Sequence, residues 1–198
     1  LVPMLLALGA GLVAGLVRAW VAKRPPHAPS LVLLWLVPVA LLPQFIAFYL
    51  PSTSKSISQE LASVALISSF VLLLVFAWFN RQAPGIWLLG IGLLLNLIVI
   101  LLNGGLMPTS PEVVQRIFPF ARPDAWQLGN RVGTTKNIAL TIQQTRLWWL
   151  SDIFVLPAWL HYRVVFSIGD IFISIGSLLL LWSVGGPPPR QNRPGEQL

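Results

Sequence analysis

The chain has 198 residues, of which 56% are hydrophobic and only 10% charged, with a mean hydropathy of +0.77. Soluble domains are usually near half apolar and about a quarter charged, so this composition argues against a water-soluble globule. Zero cysteines rule out a disulfide framework, cysteine-ligated zinc, iron–sulfur clusters and thiol chemistry.

With two distant histidines, His27 and His161, and six scattered acids, no metal site and no cofactor are expected. The formal charge of +7 comes from basic residues set singly in connecting segments. That arrangement fits membrane topology and anionic lipid headgroups and does not fit nucleic acid, so membrane lipid is the expected partner, with a second membrane subunit beside it.

Several stretches approach the roughly 20 apolar residues that cross a bilayer. The predicted fold is therefore an all-α, polytopic transmembrane bundle of about five spans, one domain over 1–184. The first span is 1–17, closed by Arg18, Lys23 and Arg24. A cleaved signal peptide would carry its charges before the apolar core, the reverse of this order, so the segment is read as a helix. The second span, 31–50, contains Pro38 and Pro43 and should be kinked. The third is 61–79, ending at Asn80-Arg81-Gln82, and the fourth is 86–102, ending at Asn103-Gly104-Gly105.

Residues 103–163 carry six of the thirteen basic residues and three of the six acids, and read as one long loop. Within it, Lys136–Leu150 has the apolar content of a helix lying on the membrane surface. The last span is 164–184, followed by a disordered tail, 185–198. Lys and Arg in the short connections put the amino terminus outside, the tail in the cytoplasm and the long loop on the outer side of the membrane.

Polar groups inside spans are the candidates for function, since a carboxylate there costs roughly 2.5 to 3.5 kcal/mol at mid-helix. Asp170 is the one acid within the five predicted spans, and Ser167, Asp170, Ser174 and Ser177 share its helical face beside Gly169 and Gly176. In the fourth span Gly92, Asn96, Val99 and Asn103 share a face, with Asn96 placed to join two helices. Gly11 and Gly15 form a GxxxG pattern suited to close helix pairing. Arg146 and Asp152 flank Trp148-Trp149, where an interfacial ion pair is the plain expectation. If Asp152 and Asp170 meet, two carboxylates sharing one proton could divide acid and base roles on a single water.

Two resemblances accompany these residues. The order of spans, with Asn103-Gly104-Gly105-Leu106-Met107-Pro108, Thr145-Arg146-Leu147, Leu150-Ser151-Asp152 and Phe166-Ser167-Ile168-Gly169-Asp170, resembles a bacterial family of multi-pass membrane proteins known only as a domain of unknown function. The last fifty or so residues are similar to the catalytic end of signal peptidase II. That likeness implies an Asp152/Asp170 dyad, with Ser167 in the place of an asparagine and Asn103 and Arg146 as loose stand-ins for supporting polar groups. The substrate-gripping motifs of that enzyme do not occur here. The leading expectation is thus a non-catalytic membrane component. An aspartyl membrane hydrolase is the alternative, and a proton-coupled carrier ranks last because no internal repeat is visible.

Overall fold

The computed structural model describes residues 2–119, 126–157 and 164–187, with side chains from Leu6 onward. Among these residues the chain is mostly helical: α1 (Val2–Val21), α2 (Leu36–Gln44), α3 (Pro51–Ser54), α4 (Gln59–Phe79), α5 (Ile86–Leu102), α6 (Pro111–Ile117) and α7 (Ile168–Trp182). Four short strands interrupt them: β1 (Met107–Thr109), β2 (Asn137–Ala139), β3 (Phe154–Val155) and β4 (Val165–Phe166). The all-α expectation is corrected to that extent.

Five full spans are not what the helices deliver. Two stretches are long and apolar enough to cross a membrane, Gln59–Phe79 with mean hydropathy 2.4 over 21 residues and Ile168–Gly185 with 1.8 over 18. Leu6–Val21, Leu36–Tyr49 and Ile86–Leu102 are apolar but shorter.

Local chemistry explains the boundaries. The Ser58 hydroxyl accepts the Leu61 N–H at 3.3 Å and Glu60 sits in the first turn, so α4 starts ahead of its predicted position, at Gln59. In the second predicted span only 36–44 is α-helical. Pro43 has no N–H to continue the ladder, and the chain widens into a π-helical turn over Phe45–Tyr49, where the Leu50 N–H reaches back five residues to the Phe45 carbonyl at 3.1 Å. The last helix begins at Ile168, not at 164, because Val165 and Phe166 pair with Val155 and Phe154 and Ser167 caps the helix. The tail from residue 188 lies outside the described residues.

The long helices stand side by side in the order α2, α4, α5, α7, α1. Along the α4–α5 seam Gly90 faces Ala77 and Gly105 faces Ser63, so the two run antiparallel. Helices α5 and α7 approach so closely that a Cβ on Gly176 would lie 2.5 Å from the Leu89 nitrogen, and one on Gly92 would lie 2.8 Å from the Ile173 nitrogen. The GxxxG pattern also finds its partner within the chain: a Cβ on Gly11 would sit 2.8 Å from the Leu178 carbonyl, and Gly15 faces Leu181 in the same way. Small residues replace knobs along these seams, leaving dispersion between backbones to hold the helices.

Helices α4 and α5 end in the same device. The Asn80 amide donates to the Phe76 carbonyl at 2.9 Å and to the Val32 carbonyl at 2.9 Å, while its oxygen accepts the Val32 N–H at 2.8 Å. The Asn103 amide donates to the Val99 carbonyl at 2.8 Å and to the Arg146 carbonyl at 2.9 Å, while its oxygen accepts the Arg146 N–H at 2.8 Å. In both cases the residue after the one held is a leucine in the left-handed region, Leu33 at φ 55° and Leu147 at φ 53°. The stretches themselves match, Val32-Leu33-Leu34-Trp35-Leu36 against Arg146-Leu147-Trp148-Trp149-Leu150. The two helix ends are therefore stapled alike, a likeness that the sequence alone did not reveal.

The predicted long loop is a folded cap. Strands β1 and β2 pair in parallel, Met107 with Asn137 and Thr109 with Ala139, and Val114, Val132 and Ala139 form a small core with Trp126 against it. Lys136–Leu150 is a strand, then turns, then a 3-10 turn over Trp148–Leu150, so the interfacial helix expected there is not formed. Its first residues are used up by pairing with β1, and its helical periodicity never closes. Gln59 and Arg131 fasten the cap to the bundle: the Gln59 side chain accepts the Arg131 N–H at 3.0 Å, and the Arg131 guanidinium reaches the Ser54 carbonyl and lies over the Phe48 ring.

Candidate functional site

The site is built where the cap meets α5 and α7. Ser167-Ile168-Gly169-Asp170 forms a capping box: the Ser167 hydroxyl accepts the Asp170 N–H at 3.0 Å, and the Asp170 carboxylate accepts the Ser167 N–H at 3.2 Å. Asn96 of α5 completes the ring, donating to the other Asp170 oxygen at 2.9 Å and accepting the Ser167 hydroxyl at 2.8 Å. Asn96 and Ser167 are buried and Asp170 is half-buried. The acid that a span starting at 164 would carry about 9 Å into the helix sits instead in the first turn, where the helix end favours its negative charge.

Asp152 is held differently. Its backbone N–H donates to the Pro108 carbonyl at 3.2 Å, which puts its side chain under the β1–β2 pair at 0% exposure. There one carboxylate oxygen accepts the Asn137 amide at 2.8 Å and lies 3.6 Å from the Lys136 ammonium, while Asn137 also donates to the Thr109 hydroxyl at 2.7 Å. The other oxygen has no hydrogen-bond partner among the described residues. Burial pushes the Asp152 carboxyl up, the Lys136 charge pulls it back, and the nearby Asp170 charge pushes it up again, leaving it above the ordinary carboxylate range. For Lys136, burial works against the charged form, but Asp152 and then Asp170 outweigh it and hold the ammonium above the ordinary lysine range.

Lys136 is thus the direct ion-pair partner of Asp152, and it lines one cavity with Asp170. The two acids make no hydrogen bond to each other among the described residues; each has its own set of partners. Arg146 does not form the expected ion pair, since Asp152 turns to Lys136 and Arg146 is joined to Asn103 through its backbone alone. Asn103 accordingly holds the cap on α5. Replacing Asn103 with alanine removes three hydrogen bonds and leaves the Arg146 N–H to find water, and is expected to lower stability by about 2 kcal/mol in a detergent thermal melt.

Beside these groups lies a cavity of about 450 Å³ between cap and bundle. Thr109, Thr135, Lys136 and Asn137 line it on the cap side, Gln44 and Tyr49 beside the π-helical turn, and Asp170 at the head of α7. Phe48, Phe70, Leu93 and Ile173 form its apolar part. Among the described residues no three His, Asp or Glu side chains converge as a metal would require. Lys136, Asn137 and Thr109 were not legible as site residues: Lys136 read as one more topology charge. The Ser-x-x-Asp spacing, by contrast, is a capping signal that could have placed Asp170 in a first turn from sequence alone.

Fold and site together define a helical bundle, two of whose helices are long and apolar enough to span a membrane, closed at one end by a polar cap. The family described as a family of unknown function (DUF5317) matches residues 29–182, and the chain belongs to it. No curated protein and no solved structure matches the chain.

Proposed function

We propose that this chain is a multi-pass integral protein of a bacterial cytoplasmic membrane that works without catalysis, as a bundle that binds lipid or a partner subunit. The observation that carries this reading is the direction of its apolar side chains. Trp87, Ile91, Leu94, Ile98 and Leu101 of α5 are all exposed at spacings of three and four, and so are Ile171, Ile175, Leu179 and Trp182 of α7. Water would leave both stripes unpaired, whereas acyl chains cover them at no cost. The short helices fit the same reading, since local thinning of the bilayer accommodates a short apolar segment. Arg18 over the Trp182 ring at 5.4 Å and Arg81 over the Trp78 ring at 4.8 Å supply interfacial anchors for the cytoplasmic end.

The protein should stay in the membrane pellet after alkaline carbonate washing; release into the supernatant would overturn the reading. Because the chain has no cysteine, single substitutions report topology directly. In intact cells Ser56→Cys is expected to react with a membrane-impermeant maleimide and Gln82→Cys to react only after lysis.

The aspartyl hydrolase alternative is favoured by one observation, that Asp170 lines the same cavity as Lys136, the ion-pair partner of Asp152. It needs water at both carboxylates, with Ser167 and Asn103 in supporting roles. Carbodiimide labelling at neutral pH, read by peptide mass, separates the two readings. A bundle with a structural Asp152 leaves that residue unmodified, whereas a working dyad is modified at both acids.

A further inference from the structure

The cavity under the cap has a lining of divided character. Its cap side presents a cation, Lys136, and the hydroxyl of Thr109, while the donors of Thr135 and Asn137 are already given to Val132, Thr109 and Asp152; its bundle side presents a carboxylate, Asp170, and then Phe48, Leu93 and Ile173. Among the described residues, neither charge is used up by its neighbours. Lys136 has three donors and one carboxylate contact at 3.6 Å, longer than the 2.7–2.9 Å or so of a charge-assisted hydrogen bond, and its side chain is 29% exposed. Among the described residues each Asp170 oxygen accepts a single hydrogen bond, which leaves lone pairs over. A volume of about 450 Å³ is in the range of clefts that hold small ligands.

We propose that this cavity holds the head of a zwitterionic aminophospholipid, with its phosphate on Lys136, its ammonium on Asp170, and the first methylenes of its chains against Phe48, Leu93 and Ile173. The proposal rests on the membrane reading above, which supplies the lipid. An anionic head without an ammonium sets a further negative charge near Asp152 and Asp170 and leaves Asp170 without a donor. A neutral head leaves both charged groups desolvated and unmatched, which is costly in a partly dry site. A head with both charges meets both.

The test is native mass spectrometry of the full-length protein in detergent, titrated in parallel with phosphatidylethanolamine, phosphatidylglycerol, diacylglycerol and chain-free glycerophosphoethanolamine. Phosphatidylethanolamine should be retained about tenfold more tightly than phosphatidylglycerol, as one extra charge-assisted contact predicts, and far above the other two. Asp170→Asn should erase the preference for ethanolamine over glycerol, and Lys136→Gln should weaken both phospholipids about equally. Leu94→Ala, on the exposed stripe of α5, serves as the unaffected control. Equal binding of the two phospholipids by the wild-type protein overturns the proposal even if a variant fails to fold. Binding of glycerophosphoethanolamine as tight as that of the lipid overturns the acyl part. Failure of the membrane reading shows separately, as release by carbonate, while a carbonate-resistant protein with no lipid preference sinks this proposal alone.

Discussion

Lys136→Met is expected to lower stability by about 3 kcal/mol, because it strips the counter-charge from a carboxylate at 0% exposure and leaves Asp152 with the Asn137 amide alone. The double variant Lys136→Met with Asp152→Asn should recover most of that loss, since it removes the uncompensated charge together with its partner. Guanidinium or thermal unfolding in detergent, run as a double-mutant cycle, measures the coupling. Simple additivity of the two single changes would mean that the 3.6 Å pair is incidental. The same pair fixes the sign of the alkaline dependence. Lys136 is held above its ordinary 10.5, so its contribution is complete below that pH and is lost as the pH rises past it. The variant with methionine at position 136 should lack that limb of the profile.

A second large effect is expected at the α5–α7 seam. Gly176→Val must place its Cβ 2.5 Å from the Leu89 nitrogen and 2.6 Å from the Gly85 carbonyl, both of them backbone atoms that no rotamer change can move. Separation of the helices is the one relief. The cost is expected at about 3 kcal/mol, the upper part of the usual range for overpacking. The measurable sign is a fall in melting temperature together with faster proteolysis at the head of α7, because Asn96 loses its hold on Asp170 when the seam opens. Substituting Ile175, which points outward one residue earlier, should leave the melt within about 0.5 kcal/mol of wild type. If Gly176→Val matches that neutral result, the close packing of α5 on α7 is wrong.

The share of the fold that was legible in the sequence depends on what each signal measures. Apolar runs marked where the main helices lie and the seam faces of α5 and α7, because hydrophobic periodicity reports burial and does so locally, but they overstated how many helices are long enough to span. The stop signals at Asn80 and Asn103 were also visible, as were the glycines after Asn103, now seen at φ 84° and 88°. What failed was anything decided across the chain. Residues 103–163 looked like a loop because β1 and β2 are three residues each and their paired residues, Met107 with Asn137 and Thr109 with Ala139, lie thirty positions apart, too short and too distant for any pattern to join them. Asp152 and Asp170 were found by their cost in an apolar setting, but Lys136, which answers that cost for Asp152, resembled every other basic residue in a connection. The aromatic stretch Trp159-Leu160-His161-Tyr162, expected to return the chain to the last span, lies outside the described residues.

The paired asparagine staples bear on the order in which the molecule is assembled. Synthesis runs from the amino terminus, so Val32 already exists when Asn80 emerges, whereas Arg146 is still unmade when Asn103 does. The antiparallel α4–α5 hairpin, joined by residues 80–85, therefore recruits its upstream neighbour at once and must wait for its downstream one. Until β2 and α7 are released from the ribosome, the buried amide of Asn96, the Thr109 hydroxyl and the apolar wall at Leu93 have no partner on that side. The chamber between cap and bundle is consequently closed late, by residues made well after the walls they seal.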